Sequence, residues 1–205
     1  MFDKNKYLAL LAKTISIIGH PIFIFIYILY WLLSPFFNND ILQNIGNQII
    51  IYIIIYFIIS ILLLAFVYKK GYIQTITLSH REDRLVGYSC FFFPMLVLAY
   101  LIPKTLPLIT ILLLLLIWSF GIIAFVNLFW KMSAHLYFYG TALGFLLYIF
   151  VYYHLGIFVV FPCAIVTAGV LAWARLYINA HSPAQVYVGF VAGLLQAFIL
   201  FSIFL

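Results

Sequence analysis

Seven long stretches of the chain contain no Asp, Glu, Lys or Arg, and this feature limits the possible folds more than any other. An α-helix needs about 20 residues to cross the roughly 30 Å of hydrocarbon in a bilayer. Each stretch reaches or nearly reaches that length, so we predict a chain that crosses a membrane several times. The stretches cover residues 14–37, 49–68, 85–103, 105–130, 136–153, 155–174 and 182–205.

These spans are expected to be helices. Backbone polar groups have no water partners inside lipid, and only helices or a closed β-barrel can satisfy them. The run IIIYIIIYFIISILLLAFVY at 49–68 lacks the alternation of apolar and polar residues that is typical of a barrel strand. We therefore predict an all-α fold, a polytopic transmembrane helical bundle of about six or seven spans, in a single integral membrane domain over residues 1–205.

The composition argues against a water-soluble protein and against nucleic acid as a partner. Of the 205 residues, 68% are hydrophobic and 7% are charged, whereas a soluble domain is about half apolar and a quarter charged. The formal charge of +6 comes from basic residues scattered at the ends of the stretches, so a membrane surface or a phosphate suits them better. Cys90 and Cys163 stand alone in separate stretches and offer neither a disulfide framework nor metal-ligand spacing.

Most ionisable residues fall in three connections between the apolar stretches, at 69–84, 131–135 and 175–181. Placing an ionisable side chain inside the hydrocarbon region of a membrane costs free energy, so such residues often mark functional sites in membrane proteins. Lysine and arginine also flank membrane spans routinely, so ordinary interfacial loops are the alternative explanation for each connection alone.

Residues suited to phosphate chemistry occur in these connections in a fixed order. They are Arg84, then Ser133 and His135, then Arg175, His181 and Gln185. The last three have the spacing Arg-x5-His-x3-Gln. This order resembles the type 2 phosphatidic acid phosphatase superfamily, whose pattern is Lys-x6-Arg-Pro, then Pro-Ser-Gly-His, then Ser-Arg-x5-His-x3-Asp. By motif order the resemblance covers residues 77–190.

The resemblance implies that Arg84, Ser133 and Arg175 bind phosphate oxygens. Arg81, one helical turn before Arg84, could assist them. Phosphoryl transfer needs positively charged groups that contact the equatorial oxygens of the transferred group and balance their negative charge. Guanidinium groups meet this need. The chain departs from the family pattern at Thr77, where the family has lysine.

The resemblance also implies a covalent mechanism without a metal ion or a cofactor. His181 would be the nucleophile that forms a phosphohistidine, and His135 would protonate the leaving group. Histidine suits both roles because it can carry or lose a proton near neutral pH. Gln185 stands where the family has Asp. Its amide can accept the same hydrogen bond from the nucleophilic imidazole, but it has no charge to stabilise the cation that develops.

Helix capping is a second explanation for two of these residues. Ser182-Pro-Ala-Gln185 has the form of a capping box that opens the last helix, and this role of Gln185 does not exclude a catalytic one. Ser133 suits the N-cap of its own helix. For His20 in the first stretch and His154 in a short connection, we favour a structural or interfacial role.

A single site requires the three connections to lie on one face of the bilayer. Two predicted spans separate Arg84 from Ser133, and two more separate His135 from Arg175, so the count agrees.

The first stretch is too long for a signal peptide and lacks a cleavage site, so we expect it to be retained. Away from the motifs, the face of the site carries Lys4, Lys6, Lys13, Lys69 and Lys70, against Lys104 on the opposite face.

This lysine distribution points the site toward the cytoplasm by the positive-inside rule. Many bacterial members of the superfamily act from the outer face, so the resemblance itself leaves the face open. We expect a multi-pass protein of the bacterial inner (cytoplasmic) membrane.

Three functions are consistent with the sequence. The leading one is a phosphatase acting on a lipid phosphate or diphosphate, with phosphotransfer to an acceptor other than water as a variant. The second is a catalytically silent protein that binds lipid head groups or a partner, which Thr77 and Gln185 favour. The third is a small transporter, although the sequence has neither an internal repeat nor ionisable residues in the middle of its spans.

Glycines recur every four positions in two of the stretches. Small residues at this spacing let helices approach closely. We predict that they pack helices within one chain and do not form a dimer interface, and the sequence leaves the oligomeric state open. These residues are Gly140, Gly144, Gly189 and Gly193.

Overall fold

Eight α-helices account for most of the residues that the structure describes. The structure, a computed structural model, describes residues 4–37, 40–78, 80–102, 106–154 and 160–204, and within these ranges it contains no β-strand. The expected all-α fold is confirmed. The helices are α1 (Lys4–Ile18), α2 (Pro21–Phe37), α3 (Asp40–Lys69), α4 (Asp83–Leu101), α5 (Pro107–Phe129), α6 (Ala134–Tyr153), α7 (Val160–Tyr177) and α8 (Pro183–Phe204).

In the described part of the chain, five helices are long and apolar enough to cross a membrane: α3, α4, α5, α6 and α8. The helices α1 and α2 pass the same test together, as one bent span, which raises the number to six. The apolar part of α7, Phe161–Tyr177, is shorter. The protein is therefore a multi-pass membrane protein by the length and composition of its helices.

We expected the first apolar stretch to form one continuous helix, but the structure divides it between two helices. Helix α1 ends at Ile18 and α2 begins at Pro21. Proline has no N–H and disfavours the helical conformation in the residue before it. His20 therefore lies at the N-cap of α2, where its Nδ1 accepts the N–H of Ile22 at 3.4 Å.

The helices belong to two compact units. Unit 1 comprises Met1–Tyr27 and Lys131–Leu205, and unit 2 comprises Ile28–Trp130. Unit 1 thus contains α1, the start of α2, and α6 to α8, whereas unit 2 contains the rest of α2 and α3 to α5. The prediction of a single domain stays a prediction.

In unit 1, helices α6 and α8 approach each other at backbone contact distance. A Cβ added to Gly140 would collide with the carbonyl oxygen of Phe190, and one added to Gly193 would collide with that of Tyr137. The predicted role of the glycines in packing helices within the chain is confirmed. The other two glycines of the series that meet atoms across this interface are Gly144 and Gly189.

An apolar cluster joins one end of α6, α7 and α8. It includes Leu136 at the start of α6, Leu171 in the second half of α7 and Val186 at the start of α8, with Ile24 of α2 packed against it. Helix α1 also packs against α7. Burial of these side chains therefore brings the ends that carry the motif residues, and the break between α1 and α2, to the same end of unit 1.

In unit 2, a buried carboxylate organises the connection before α4. Asp83 accepts the N–H of Gln74 at 2.9 Å and both the N–H and the hydroxyl of Thr75, at 3.0 and 3.1 Å. These bonds satisfy the carboxylate, which is almost fully buried. They fold the connection back onto the first turn of α4.

Candidate functional site

The segment between Arg175 and His181 forms a helix C-terminus of fixed geometry. Asn179 adopts the left-handed conformation, with φ of 52°. The N–H of Asn179 donates to the carbonyl of Leu176 at 3.0 Å, and the N–H of Ala180 donates to the carbonyl of Arg175 at 3.1 Å. This pair of bonds is a Schellman motif. It returns the chain to the last turn of α7, so His181 lies close to the turn that carries Arg175.

Gln185 combines the two roles considered for it. Its N–H donates to the hydroxyl of Ser182 at 3.4 Å, and its side-chain Oε1 accepts the N–H of Ser182 at 3.1 Å. With Pro183 at the first position of α8, these bonds confirm the predicted capping box. The same Oε1 lies 3.1 Å from Nδ1 of His181.

This arrangement determines which nitrogen of the neutral His181 imidazole carries the proton. The backbone N–H of Ser182 faces Oε1 of Gln185, which identifies that atom as the amide oxygen, an acceptor only. Nδ1 of His181 must then carry the hydrogen and donate it. In the neutral ring the lone pair is consequently on Nε2, the nitrogen that points away from Gln185. His181 itself is buried, with 7% of its surface exposed.

Ser133 lies beside the start of α8. Its N–H donates to the carbonyl of Gln185 at 3.1 Å, and its side chain is fully buried. The residue is the N-cap of α6, as we considered, but its hydroxyl makes no capping hydrogen bond. Among the described residues the hydroxyl has no hydrogen-bond partner. A buried hydroxyl in this state carries a desolvation cost that a bound ligand would remove.

Arg175 and His135 meet at the end of α1. Nη1 of Arg175 donates to the hydroxyl of Ser16 at 2.6 Å, and the imidazole of His135 is hydrogen-bonded to the backbone of Ser16. His135 also interacts electrostatically with Arg175 and with His181. We call these residues, with Ser133 and Gln185, the histidine–arginine cluster. The structure thus brings five of the seven predicted site residues together in unit 1.

A third imidazole borders this cluster. The rings of His20 and His135 are 5.2 Å apart between centroids and meet edge to face at 83°. Sequence reasoning assigned His20 a structural or interfacial role and passed over Ser16. The described residues of unit 1 contain no Asp or Glu, whereas the cluster contains the guanidinium group of Arg175.

The two remaining predicted phosphate ligands belong to unit 2. Arg84 is buried, and it donates through Nη1 to Oδ1 of Asn127 at 2.7 Å and through Nε to the carbonyl of Leu78 at 3.1 Å. Arg81 is exposed and donates through Nη1 to the carbonyl of Phe129 at 3.3 Å. Both residues tie the 69–84 connection to the last turns of α5. Their roles as phosphate ligands stay predictions.

The described residues contain no group of three or more His, Cys, Asp or Glu side chains placed to hold a metal ion. The resemblance to the type 2 phosphatidic acid phosphatase superfamily rests on the motifs alone and stays a prediction. Comparison of the chain with protein-family models, with curated protein sequences and with solved structures found no match.

Proposed function

We propose that this protein is an integral membrane phosphatase that hydrolyses a lipid phosphate or lipid diphosphate through a phosphohistidine at His181. The observation that carries the proposal is the 3.1 Å contact between Nδ1 of His181 and Oε1 of Gln185. It holds the imidazole in the tautomer in which Nε2 has a lone pair for attack on phosphorus.

In the proposed first step, Nε2 of His181 forms a bond to the terminal phosphorus as the bond from phosphorus to the leaving oxygen breaks. The leaving oxygen is the lipid oxygen of a monophosphate or the bridging oxygen of a diphosphate. Protonated His135 gives its proton to that leaving oxygen. In the second step, neutral His135 takes a proton from a water molecule, whose oxygen forms a bond to phosphorus as the bond from phosphorus to Nε2 of His181 breaks, and inorganic phosphate is released. His181 and His135 then return to their starting states. Transfer to an acceptor other than water would use the same residues.

The surroundings of His181 favour an anionic ligand. Arg175 supplies a guanidinium group, and Ser133 supplies a buried hydroxyl without a described partner. His181 and Ser182 precede the N-terminus of α8, a helix of 22 residues, where the helix dipole and the first N–H groups attract negative charge. A phosphate at this place would be bound by three independent features of the fold.

The position of the cluster suits a lipid. His135 and Gln185 lie in the first turns of α6 and α8, two helices with the length and hydropathy of membrane spans. A substrate with its phosphate at the end of these spans can keep its acyl or prenyl chains in hydrocarbon. We further propose that the protein lies in the bacterial inner membrane, with the site facing the cytoplasm as the lysine distribution around the spans indicates.

Phosphate binding without turnover is the second candidate function. Gln185 favours it, because a neutral amide stabilises a positively charged histidine less than a carboxylate does. A silent protein of this kind would hold lipid head groups in the same cluster. The two functions differ in whether inorganic phosphate is released.

The test is release of inorganic phosphate from phosphatidic acid, phosphatidylglycerophosphate and polyprenyl diphosphate by the purified protein in detergent with EDTA present. We expect release from at least one substrate, and none from His181→Ala or His135→Ala. His154→Asn is the matched control, because His154 is exposed and has a φ of 51° that Asn tolerates. No release by the wild type from any substrate would favour the silent protein. A fully active His181→Ala variant would end the proposed mechanism.

A further inference from the structure

The break between α1 and α2 leaves the backbone carbonyl of Ser16 without its helical donor. Within a helix, the carbonyl of Ser16 would accept the N–H of residue 20. Here the N–H of His20 donates to the carbonyl of Ile17, and the N–H of Gly19 donates to that of Ile15. The carbonyl of Ser16 is therefore one of the acceptors at the end of α1 that need a partner from outside the helix.

The imidazole of His135 supplies that partner. His135 is hydrogen-bonded to the backbone of Ser16, and the ring of His20 stands edge to face against the same imidazole. Ser16 near the end of α1 and His20 in the break therefore both limit the orientation of the His135 ring. A helix interior without the break would offer neither the carbonyl nor this placement of His20.

The side chain of Ser16 restrains a second group. Its hydroxyl accepts a hydrogen bond from Nη1 of Arg175 at 2.6 Å, and Ser16 is buried, with 6% of its surface exposed. Arginine has a long side chain that loses rotamer entropy when it is fixed. A guanidinium group already held by Ser16 would lose less of this entropy when a phosphate binds.

We infer that Ser16 is a positioning residue of the proposed phosphate site, which orients Arg175 through its hydroxyl and His135 through its backbone carbonyl. The inference rests on the proposed function of the histidine–arginine cluster. Ser16 acts from α1, Arg175 from α7 and His135 from α6, so one residue aligns the phosphate ligand and the proton donor.

The test is a double-mutant cycle on Ser16 and Arg175, with binding of inorganic orthovanadate and phosphate release as separate readouts. Orthovanadate resembles a phosphoryl group during transfer, and its binding does not require turnover. We expect Ser16→Ala to weaken orthovanadate binding about tenfold, in line with loss of a hydrogen bond to a charged group. In an Arg175→Ala background, Ser16→Ala should cause no further loss, because its hydroxyl acts through Arg175.

Two further variants keep the test interpretable. Ser16→Cys keeps the size of the side chain but replaces the hydroxyl with a weak acceptor, and it should show the loss even if Ser16→Ala folds poorly. Thr14→Ala is the control, because Thr14 is an exposed hydroxyl residue on the same helix. It should bind orthovanadate like the wild type.

The outcomes separate this inference from the proposed function. Unchanged binding in Ser16→Ala, or an equal loss with and without Arg175, would overturn the positioning role and leave the phosphatase intact. Binding without phosphate release in the wild type would overturn hydrolysis, while the cycle would still test Ser16. A wild-type protein that neither binds orthovanadate nor releases phosphate would overturn both.

Discussion

The side-chain oxygen of Gln185 lies 3.1 Å from Nδ1 of His181 and 3.1 Å from the backbone nitrogen of Ser182. One amide oxygen therefore caps helix α8 and orients the imidazole that precedes it. Helix stability and the direction of the His181 lone pair depend on the same side chain. A replacement must keep a side-chain acceptor within reach of both groups to preserve the two roles.

Gln185→Glu should increase the rate of phosphate release. Glutamate has the same length as glutamine and can keep both hydrogen bonds, and its charge stabilises the cationic imidazole during transfer. Hydrogen bonds to charged groups are worth about 1 kcal/mol more than neutral ones, so we expect kcat to rise roughly fivefold to tenfold. The measurement is kcat for the best substrate of the panel.

Two variants at the same position complete this prediction. Gln185→Asp restores the residue of the superfamily pattern and should preserve or raise the rate. Gln185→Leu removes the acceptor, so it should lower kcat and also destabilise α8 by about 1 kcal/mol, the usual cost of a lost cap. A Gln185→Leu variant as active as the wild type would show that Gln185 only caps the helix.

His20→Asn should separate the two contacts of His20. Asparagine is a good N-cap and can still accept the N–H of Ile22, but it removes the ring that stands against His135. We expect the midpoint of thermal unfolding to stay unchanged while kcat falls severalfold. His20→Ala should lower both quantities. Equal activity of His20→Asn and the wild type would return His20 to a purely structural role.

Asn179 should tolerate glycine better than any β-branched residue. Its φ of 52° costs an ordinary L-residue about 1–2 kcal/mol, whereas glycine adopts it freely. Asn179→Gly should therefore retain stability and phosphate release. Asn179→Val should lower both, because loss of the Schellman motif would displace His181 from the last turn of α7. Unfolding in detergent and a turnover assay on the same samples test this.

Part of the site could be predicted from the sequence because it is local. Arg175, His181 and Gln185 lie within eleven consecutive residues, and a helix end, a turn and a capping box determine their arrangement. Ser16 could not be predicted in this way. Its contact with Arg175 crosses 159 positions of the chain, and a lone serine in an apolar helix has no spacing that distinguishes it from a packed residue.

The apolar stretches predicted the existence of the helices better than their ends. Helix α3 begins at Asp40, although the predicted apolar stretch begins at residue 49. Hydropathy marks the part of a helix that matches hydrocarbon, whereas backbone hydrogen bonding continues into polar residues beyond it. The break at Pro21 was missed for a related reason, because one proline changes the mean hydropathy of a long stretch very little while it removes a backbone donor.

Gly140→Ala should destabilise unit 1, whereas Gly169→Ala should not. A Cβ at Gly140 would collide with the carbonyl oxygen of Phe190 on α8, whereas a Cβ at Gly169 on α7 would meet no described atom within 4 Å. Overpacking of this kind costs about 1–3 kcal/mol, whereas alanine in an open helix position gains up to about 1 kcal/mol over glycine. Thermal unfolding in detergent should therefore show opposite shifts for the two variants. A Gly140→Ala protein as stable as Gly169→Ala would mean that α6 and α8 lie further apart than their glycines indicate.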